Sequence, residues 1–365
     1  MRYRIKESVK LSMDKKNGET LFALFMNQHL ELTIETNEIL LDILHLIDEN
    51  NTDQVIFDKI NSRYNDIINK QEFQLLITEL LETGIIESKI NNNLLYPDHS
   101  FLSRQLNFLS EYSDLKYNQF QLQNSISNST VVIMGLGAIG SWIAYNLVQS
   151  GIKNLHLIDD DTVDISNISR QALYFQEDIG EYKVNALKKH LNKIISNLNI
   201  KTYKLNIEKS SDLNILPKNI DLFINCADYP NAYSTGNLVT NFCFKRNIIH
   251  INGIGYRGNI CKLGLTTIPY KSICWNCLNQ KQNNSLHKKE LEFTNHKATA
   301  GSTATITTLI ASIHSLEAIK ILSPNMNPTL LNNSGELNLN TLAIKFEDKS
   351  DIEKCIRCSN GIGVL

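Results

Sequence analysis

No stretch of these 365 residues reads as an apolar run long enough to span a membrane, and the opening MRYRIKESVK is too polar for a signal peptide. These absences set aside the integral-membrane and secreted classes and make the cytoplasm the expected location. Charge of one sign is also missing: 36 Lys and Arg stand against 38 Asp and Glu, a formal net charge of −2. No overall field therefore recruits nucleic acid or an anionic membrane surface, and neither is expected as a partner. Apolar mass is present, at 42% hydrophobic residues. That is enough to bury a sizeable core and suits one large domain with a smaller attachment.

The densest information lies between Val131 and Lys183. VVIMG reads as a buried parallel strand closing on a glycine, and Gly135, Gly137 and Gly140 form a G-x-G-x-x-G turn into a helix expected over 138–150. The first glycine permits the tight turn, the second lets backbone approach phosphate, and the third lets the helix pack on the strand. The helix then presents its free N-terminal amides to an anion. A second strand, NLHLID, ends at Asp159, roughly 20 positions past the glycines, where a carboxylate can accept both ribose hydroxyls. To this point an adenine nucleotide is indicated, and an NAD-binding unit fits equally well.

Asn167, Arg170, Gln171 and Lys183 add a polar and cationic cluster at the phosphate end. Hydride transfer has no use for it. When a carboxylate attacks the α-phosphorus of ATP, charge builds on the transferred group and on departing pyrophosphate, and two cations stabilise it. The buried strand IDLFINCA delivers Asp228 at its C-terminal end, the edge where open parallel sheets bind ligands. Asp228 is therefore the candidate for holding Mg2+.

The cysteines fall into two groups. Cys274 and Cys277 in CWNC, with Cys355 and Cys358 in CIRC, present four thiolates at the spacing of a tetrahedral structural Zn2+. Such a closed site leaves no catalytic position and is expected to staple the C-terminal tail onto its domain. Cys226, Cys243 and Cys261 fall on an expected strand, helix and strand, and read as small core residues.

Residues 1–95 have a different texture. RIKESVKLSM, LFALFMN and HLELTIE read as strands around a turn at Lys15 to Gly18. Helices follow over Glu38 to Ile47, Thr52 to Tyr64 and Lys70 to Thr83, with Val55, Ile56, Ile60 and Tyr64, then Phe73, Leu76, Ile77 and Leu80, expected to face inward; GIIES adds a last strand. The pattern is a small winged-helix-like α+β unit. KQEFQLLITELLETG is too acidic and apolar for a DNA-recognition helix, whereas peptide capture by strand addition needs only an exposed edge beside a groove. Residues 96–125 are expected to be a polar and aromatic connector.

Taken as a set, GLGAIG, LIDDD, SNISRQ, IGEYK, NCADYP and the two CxxC pairs resemble the ThiF/MoeB/E1 superfamily of ATP-dependent carboxylate-adenylating enzymes, over roughly residues 110–360. The resemblance implies a Rossmann-like α/β adenylation domain, here over 126–365. It implies that the glycines approach phosphate and Asp159 binds ribose. Asp161, Asn167, Arg170, Gln171 and Lys183 would serve the triphosphate and its transition state, with Asp228 on magnesium. Superfamily members that pass an activated protein tail to sulfur carry a catalytic cysteine on a loop after the first zinc pair. Between Cys277 and Cys355 this chain has none, and offers His287, His296 and Lys297 instead. The adenylate is accordingly expected to react with a nucleophile inside the substrate or on a small molecule.

An adenylating core without that thiol, joined to a unit similar to PqqD-like precursor-recognition domains, resembles the microcin C-type and pantocin A-type peptide-modifying enzymes. This resemblance implies a homodimer that adenylates a carboxylate in a short ribosomally made precursor peptide. The outcome is an N–P bond in one type and glutamate cyclisation in the other, and the residues do not choose between them. Two other classes stay open. The missing thiol speaks against a sulfur-carrier or ubiquitin-like activating enzyme; Arg170, Lys183 and Asp228 speak against an NAD-dependent oxidoreductase or silent binding module. Residues 298–322 are expected to form a helix whose Ala, Gly, Ser and Thr face suits either a contact between two copies or the chain's own core.

Overall fold

The computed structural model describes residues 1–14, 19–26, 30–47, 51–88, 99–114, 116–279 and 301–359, in two units, Met1–Gln121 and Leu122–Leu365. In the first unit, alternation of apolar and polar side chains makes the strands β1 (Tyr3–Ile5), β2 (Val9–Met13), β3 (Thr20–Phe25) and β4 (Leu30–Glu35). β3 shows why: TLFALF turns Leu21, Ala23 and Phe25 to one buried face. β2, β3 and β4 pair antiparallel in that order, which leaves β4 at an edge. RIKESVKLSM, expected as one strand, is broken where Val9 N donates back to Lys6 O at 3.0 Å, so β1 is free to pair elsewhere.

Helices α1 (Glu38–Leu46), α2 (Asp53–Tyr64) and α3 (Lys70–Glu82) start at the side-chain caps Asn37, Thr52 and Asn69, the last closing a capping box with Glu72. Ile56 and Ile60 of α2, with Phe73, Ile77 and Leu80 of α3, meet Leu21, Phe25 and Ile43 in one core. Val55 is exposed instead, because it sits about 100° around the helix from Ile56, outside the contacting stripe. Leu76 is only partly buried. β5 (Ile86–Ser88) is the strand that β1 pairs with. The expected turn at Lys15 to Gly18 lies outside the described residues. The expected connector carries two helices among its described residues: α4 (His99–Ser110) buries Leu102, Leu106 and Leu109 at helical spacing, and α5 (Gln119–Asn128) follows.

The second unit is built on an eight-stranded sheet of β6 (Thr130–Met134), β7 (Asn154–Ile158), β8 (Asn199–Tyr203), β9 (Leu222–Asn225), β10 (Ile249–Arg257), β11 (Ile260–Thr267), β12 (Asn333–Asn338) and β13 (Ala343–Asp348). Their order is β13-β12-β11-β10-β9-β6-β7-β8. β8, β7, β6, β9 and β10 run parallel, and β11 to β13 extend the sheet antiparallel. β6 and β9 are almost wholly apolar, as strands covered on both faces must be. Helices α6 (Gly140–Gln149), α7 (Lys183–Leu191) and α8 (Ala232–Arg246) make the crossovers; α9 (Trp275–Asn279), α10 (Ala304–Leu322) and α11 (Ile356–Ser359) follow. Because β7 and β8 lie on one side of β6 and β9 on the other, the strand order reverses between β6 and β9. An open parallel sheet binds ligands in the crevice at such a point.

α10 corrects one expectation. Its 19 residues, at a mean hydropathy of 1.3, do reach the length and apolarity of a membrane span. Half of it is buried within the unit, and Thr307, Ala311, Ser315 and Ala318 are among the residues turned inward. Asn146 of α6 donates to Ser315 Oγ at 3.2 Å. The small-residue face is thus core, while Leu309 and Leu316 are exposed.

Candidate nucleotide site and cysteine cluster

Gly135 ends β6 with φ of 86°, a left-handed conformation that favours glycine. A Cβ there would stand 2.6 Å from Ala227 N, so the turn lies directly against the loop after β9. A Cβ on Gly140 would overlap the Gly135 carbonyl, whereas one on Gly137 would meet nothing within 4 Å. The outer glycines lock the turn, and the middle one leaves bare backbone facing open space. α6 starts at Gly140, two residues later than expected, with no side-chain cap on its first amides.

A cleft of about 1340 Å³ opens here, lined by Gly135, Gly137, Asp159, Asp161, Asn167, Arg170, Gln171, Lys183 and Asp228. Gly140 lies behind the turn. Asp159 accepts from Leu136 N at 2.5 Å and from Asp161 N at 2.8 Å, so its carboxylate first joins the end of β7 to the glycine turn. Burial pushes its carboxyl above the usual range, against the opposing pull of Lys183 and the two amides. Each oxygen keeps acceptor capacity for a further donor. Lys183 is only 5% exposed, and its ammonium sits 2.6 Å from Asp161 Oδ2, which holds the cation at the cleft wall. α7, which Lys183 opens, is anchored further along by buried Asp178, which takes Lys189 Nζ at 2.8 Å and His190 Nε2 at 2.7 Å.

Arg170 donates to Ser166 O at 2.6 Å, and its own carbonyl receives Trp142 Nε1 at 3.0 Å and Thr307 Oγ1 at 3.1 Å. Helices α6 and α10 therefore fix its backbone at the cleft that the residue lines. Asn167 closes the 3-10 turn that Asp164 caps. Gln171 is buried, and its Oε1 has no hydrogen-bond partner among the described residues. Asp159, Asp160 and Asp161 cluster closely enough for a cation, yet two of the three already serve amides and Lys183. Asp228 has no ion-pair partner among the described residues. Its exposed carboxylate, across the switch point from the glycine turn, suits a divalent cation better.

The loop carrying Asp228 is held by residues that sequence reading missed. Asn225 accepts from Ala227 N at 3.1 Å and donates to Asn252 Oδ1 at 3.0 Å, while Thr235 Oγ1 donates to Ala227 O at 2.8 Å. An asparagine closing the apolar run LFIN was the available signal, since a buried amide must find partners. Trp275, Tyr256, Lys262, Ser302 and Glu336, also missed, line the cleft as well, with Lys262 paired to Glu336 and Tyr256 donating to Ser302.

The four CxxC sulfurs converge. Cys274 lies 3.7 Å from Cys277 and 3.8 Å from Cys355, and Cys358 lies 3.6 Å from Cys277 and 3.7 Å from Cys355. Tetrahedral Zn–S bonds of about 2.3 Å require sulfur separations of about 3.8 Å, so the donor set fits that ion. His287, His296 and Lys297 lie outside the described residues.

Cys226 lines the cleft, but burial and the neighbouring Asp228 charge push its thiol up to about 12. Burial also raises Cys243 and Cys261. None is a ready thiolate. Replacing each of the three by alanine should leave turnover within a few-fold of wild type and cost about 1 kcal/mol of stability apiece. A DTT-sensitive thioester trapped on any of them would refute this.

A crevice at the switch point lined by the glycine turn, Lys183 and Arg170, with a four-cysteine clamp on the tail, defines an E1-like adenylating fold. The chain belongs to the ThiF family, whose model matches residues 102–356. The adenylyltransferase and sulfurtransferase UBA4 of Scheffersomyces stipitis is 26% identical over 228 residues, 60% of this chain and 49% of UBA4, so the chain spans about half the length of that relative. Escherichia coli MccB, solved with ATP, matches at a TM-score of 0.72 and 23% identity over 98% of this chain and 100% of MccB. PaaA matches at 0.71 and 21% identity over 94% of this chain and 99% of PaaA. At these identities the likeness is one of fold.

Proposed function

We propose that this protein is an ATP-dependent enzyme that adenylates a carboxylate of a short ribosomally made peptide. The observation that carries this is the cleft itself: Lys183, Arg170 and Asp228 line it with the open Gly137, and among the described residues the only thiol lining it is the half-buried Cys226, whose pKa is raised to about 12. A substrate carboxylate oxygen attacks the α-phosphorus, the bond to the bridging oxygen breaks, and pyrophosphate leaves from the acyl adenylate. Lys183 and Arg170 offset the charge that grows on the phosphates. Asp228 would hold Mg2+, which when bound neutralises the departing pyrophosphate. A nucleophile within the peptide or on a small molecule then takes the acyl group and expels AMP. An activated glutamate gives a ring directly, whereas an asparagine closes to a succinimide whose nitrogen attacks the α-phosphorus of a second ATP, releasing pyrophosphate and leaving an N–P bond; product mass distinguishes them. Zn2+ at the four cysteines, a homodimer and a reducing cytoplasm complete the proposal.

Support for the peptide comes from MccB, solved in complex with N-formylated MccA. The first unit offers the edge strand β4, whose partly buried Leu32 and Ile34 alternate with exposed residues, as strand addition requires. Similarity to UBA4 favours a second reading, activation of a sulfur-carrier protein tail. Pyrophosphate exchange decides between them: a peptide encoded beside the gene should stimulate it, and stimulation by a sulfur-carrier protein alone would replace the peptide reading. Deleting residues 1–95 should raise the peptide concentration for half-maximal rate about a hundredfold, the scale on which a second binding module acts. ATP affinity should not change. Equal peptide affinity in the truncated protein would reduce the first unit to a structural role.

A further inference from the structure

Trp275 stands in neither the glycine turn nor the cation cluster, yet it joins the cysteine clamp to the cleft. It lies between the buried Cys274 and Cys277, and it lines the cleft with Tyr233 and Gly253. A Cβ on Gly236 would stand 2.6 Å from its Cδ1, and one on Gly253 would overlap the far edge of the ring. Only glycines at these two places allow the indole to wedge between α8 and β10. Its Nε1 donates to Tyr233 O at 3.2 Å, in the first turn of α8, and its own carbonyl receives Asn279 Nδ2 at 2.7 Å.

That first turn of α8, together with Asn225, holds the Asp228 loop. Asn231 caps it by accepting from Ser234 N at 2.9 Å, and Thr235 ties it to Ala227, the residue before Asp228. A shift of α8 by an ångström would therefore move the Asp228 carboxylate by a similar amount, enough to lose most of a preorganised charge contact. We propose that Trp275 is a positioning residue, which wedges the start of α8 against the four-cysteine clamp and so fixes Asp228 for the metal-bound nucleotide. Closure of the tail cysteines Cys355 and Cys358 on Cys274 and Cys277 is then felt in the cleft through this side chain.

The role of Asp228 invoked here is the one proposed above, so two measurements are made on full-length protein. Trp275→Phe keeps a ring in the wedge and removes the N–H donor; Trp275→Leu removes the ring as well. In pyrophosphate exchange, both should retain wild-type metal content while kcat falls about tenfold for Phe and further for Leu. The Mg2+ concentration for half-maximal rate should rise about tenfold, with the ATP requirement measured at saturating Mg2+ unchanged. A residue that merely supports the fold would not separate Mg2+ from ATP in this way. The second measurement is calorimetric ATP binding with and without Mg2+, which needs no turnover. The Mg2+-dependent gain in affinity should be present in wild type and about tenfold smaller in Trp275→Phe. Metal-replete Trp275→Phe with wild-type Mg2+ dependence in binding would overturn the positioning role. Wild type that shows the binding effect but no exchange with peptide or carrier protein would instead sink the adenylation reading and leave Trp275 standing.

Discussion

Asp228→Ala and Arg170→Ala should each abolish peptide-dependent pyrophosphate exchange, lowering the rate about a thousandfold, equivalent to about 4 kcal/mol of barrier. Neither change should unfold the protein. Asp228 is exposed and has no ion-pair partner among the described residues, so its loss removes a charge without orphaning another. Among the described residues the Arg170 side chain bonds only Ser166 O, while its loop is held through its own carbonyl by Trp142 and Thr307. Exchange at saturating ATP and peptide, read beside the thermal midpoint, checks this. Either variant working near the wild-type rate with an unchanged midpoint would remove that residue from the phosphate chemistry.

Metal analysis of purified protein should return about one zinc per chain, and Cys274→Ser or Cys358→Ser should lose it and yield unstable protein. The cysteines share a cluster with Phe244, Leu265 and Ile273, so opening the clamp exposes an apolar core as well as four sulfurs. Apparent zinc-binding energies of about 10–16 kcal/mol in small cysteine and histidine sites rival the whole stability of a domain, about 5–15 kcal/mol. Because the thiols must ionise to bind, zinc should also be released as the pH is lowered. Protein that is metal-free yet melts and turns over like wild type would refute the assignment.

The glycine turn illustrates what short-range pattern can carry. Gly135, Gly137 and Gly140 differ in what surrounds them, and those differences follow from their spacing on a single strand-to-helix turn. The helix caps Asn37, Thr52 and Asn69 are legible for the same reason, since capping acts within one helical turn. Composition misled where polarity concealed periodicity, as with Leu102, Leu106 and Leu109 in the supposed connector. It misled again at α10, whose Thr and Ser residues made a span-length helix look too polar.

Residue type and separation along the chain were sufficient for the glycine turn and for each CxxC pair, because each geometry is set within a few bonds of backbone. Tertiary structure alone decided that Asp159 spends a hydrogen bond on Leu136, and that Asn225 finds Asn252. It alone decided that small residues of α10 face α6, and that Trp275 lodges against Gly236 and Gly253. Those partners lie up to 169 residues apart in the chain, so nothing local specifies them. They meet because the crossovers on either side of the β6–β9 switch point bring distant segments to one edge of the sheet, where packing and the need to satisfy buried polar groups select the contacts.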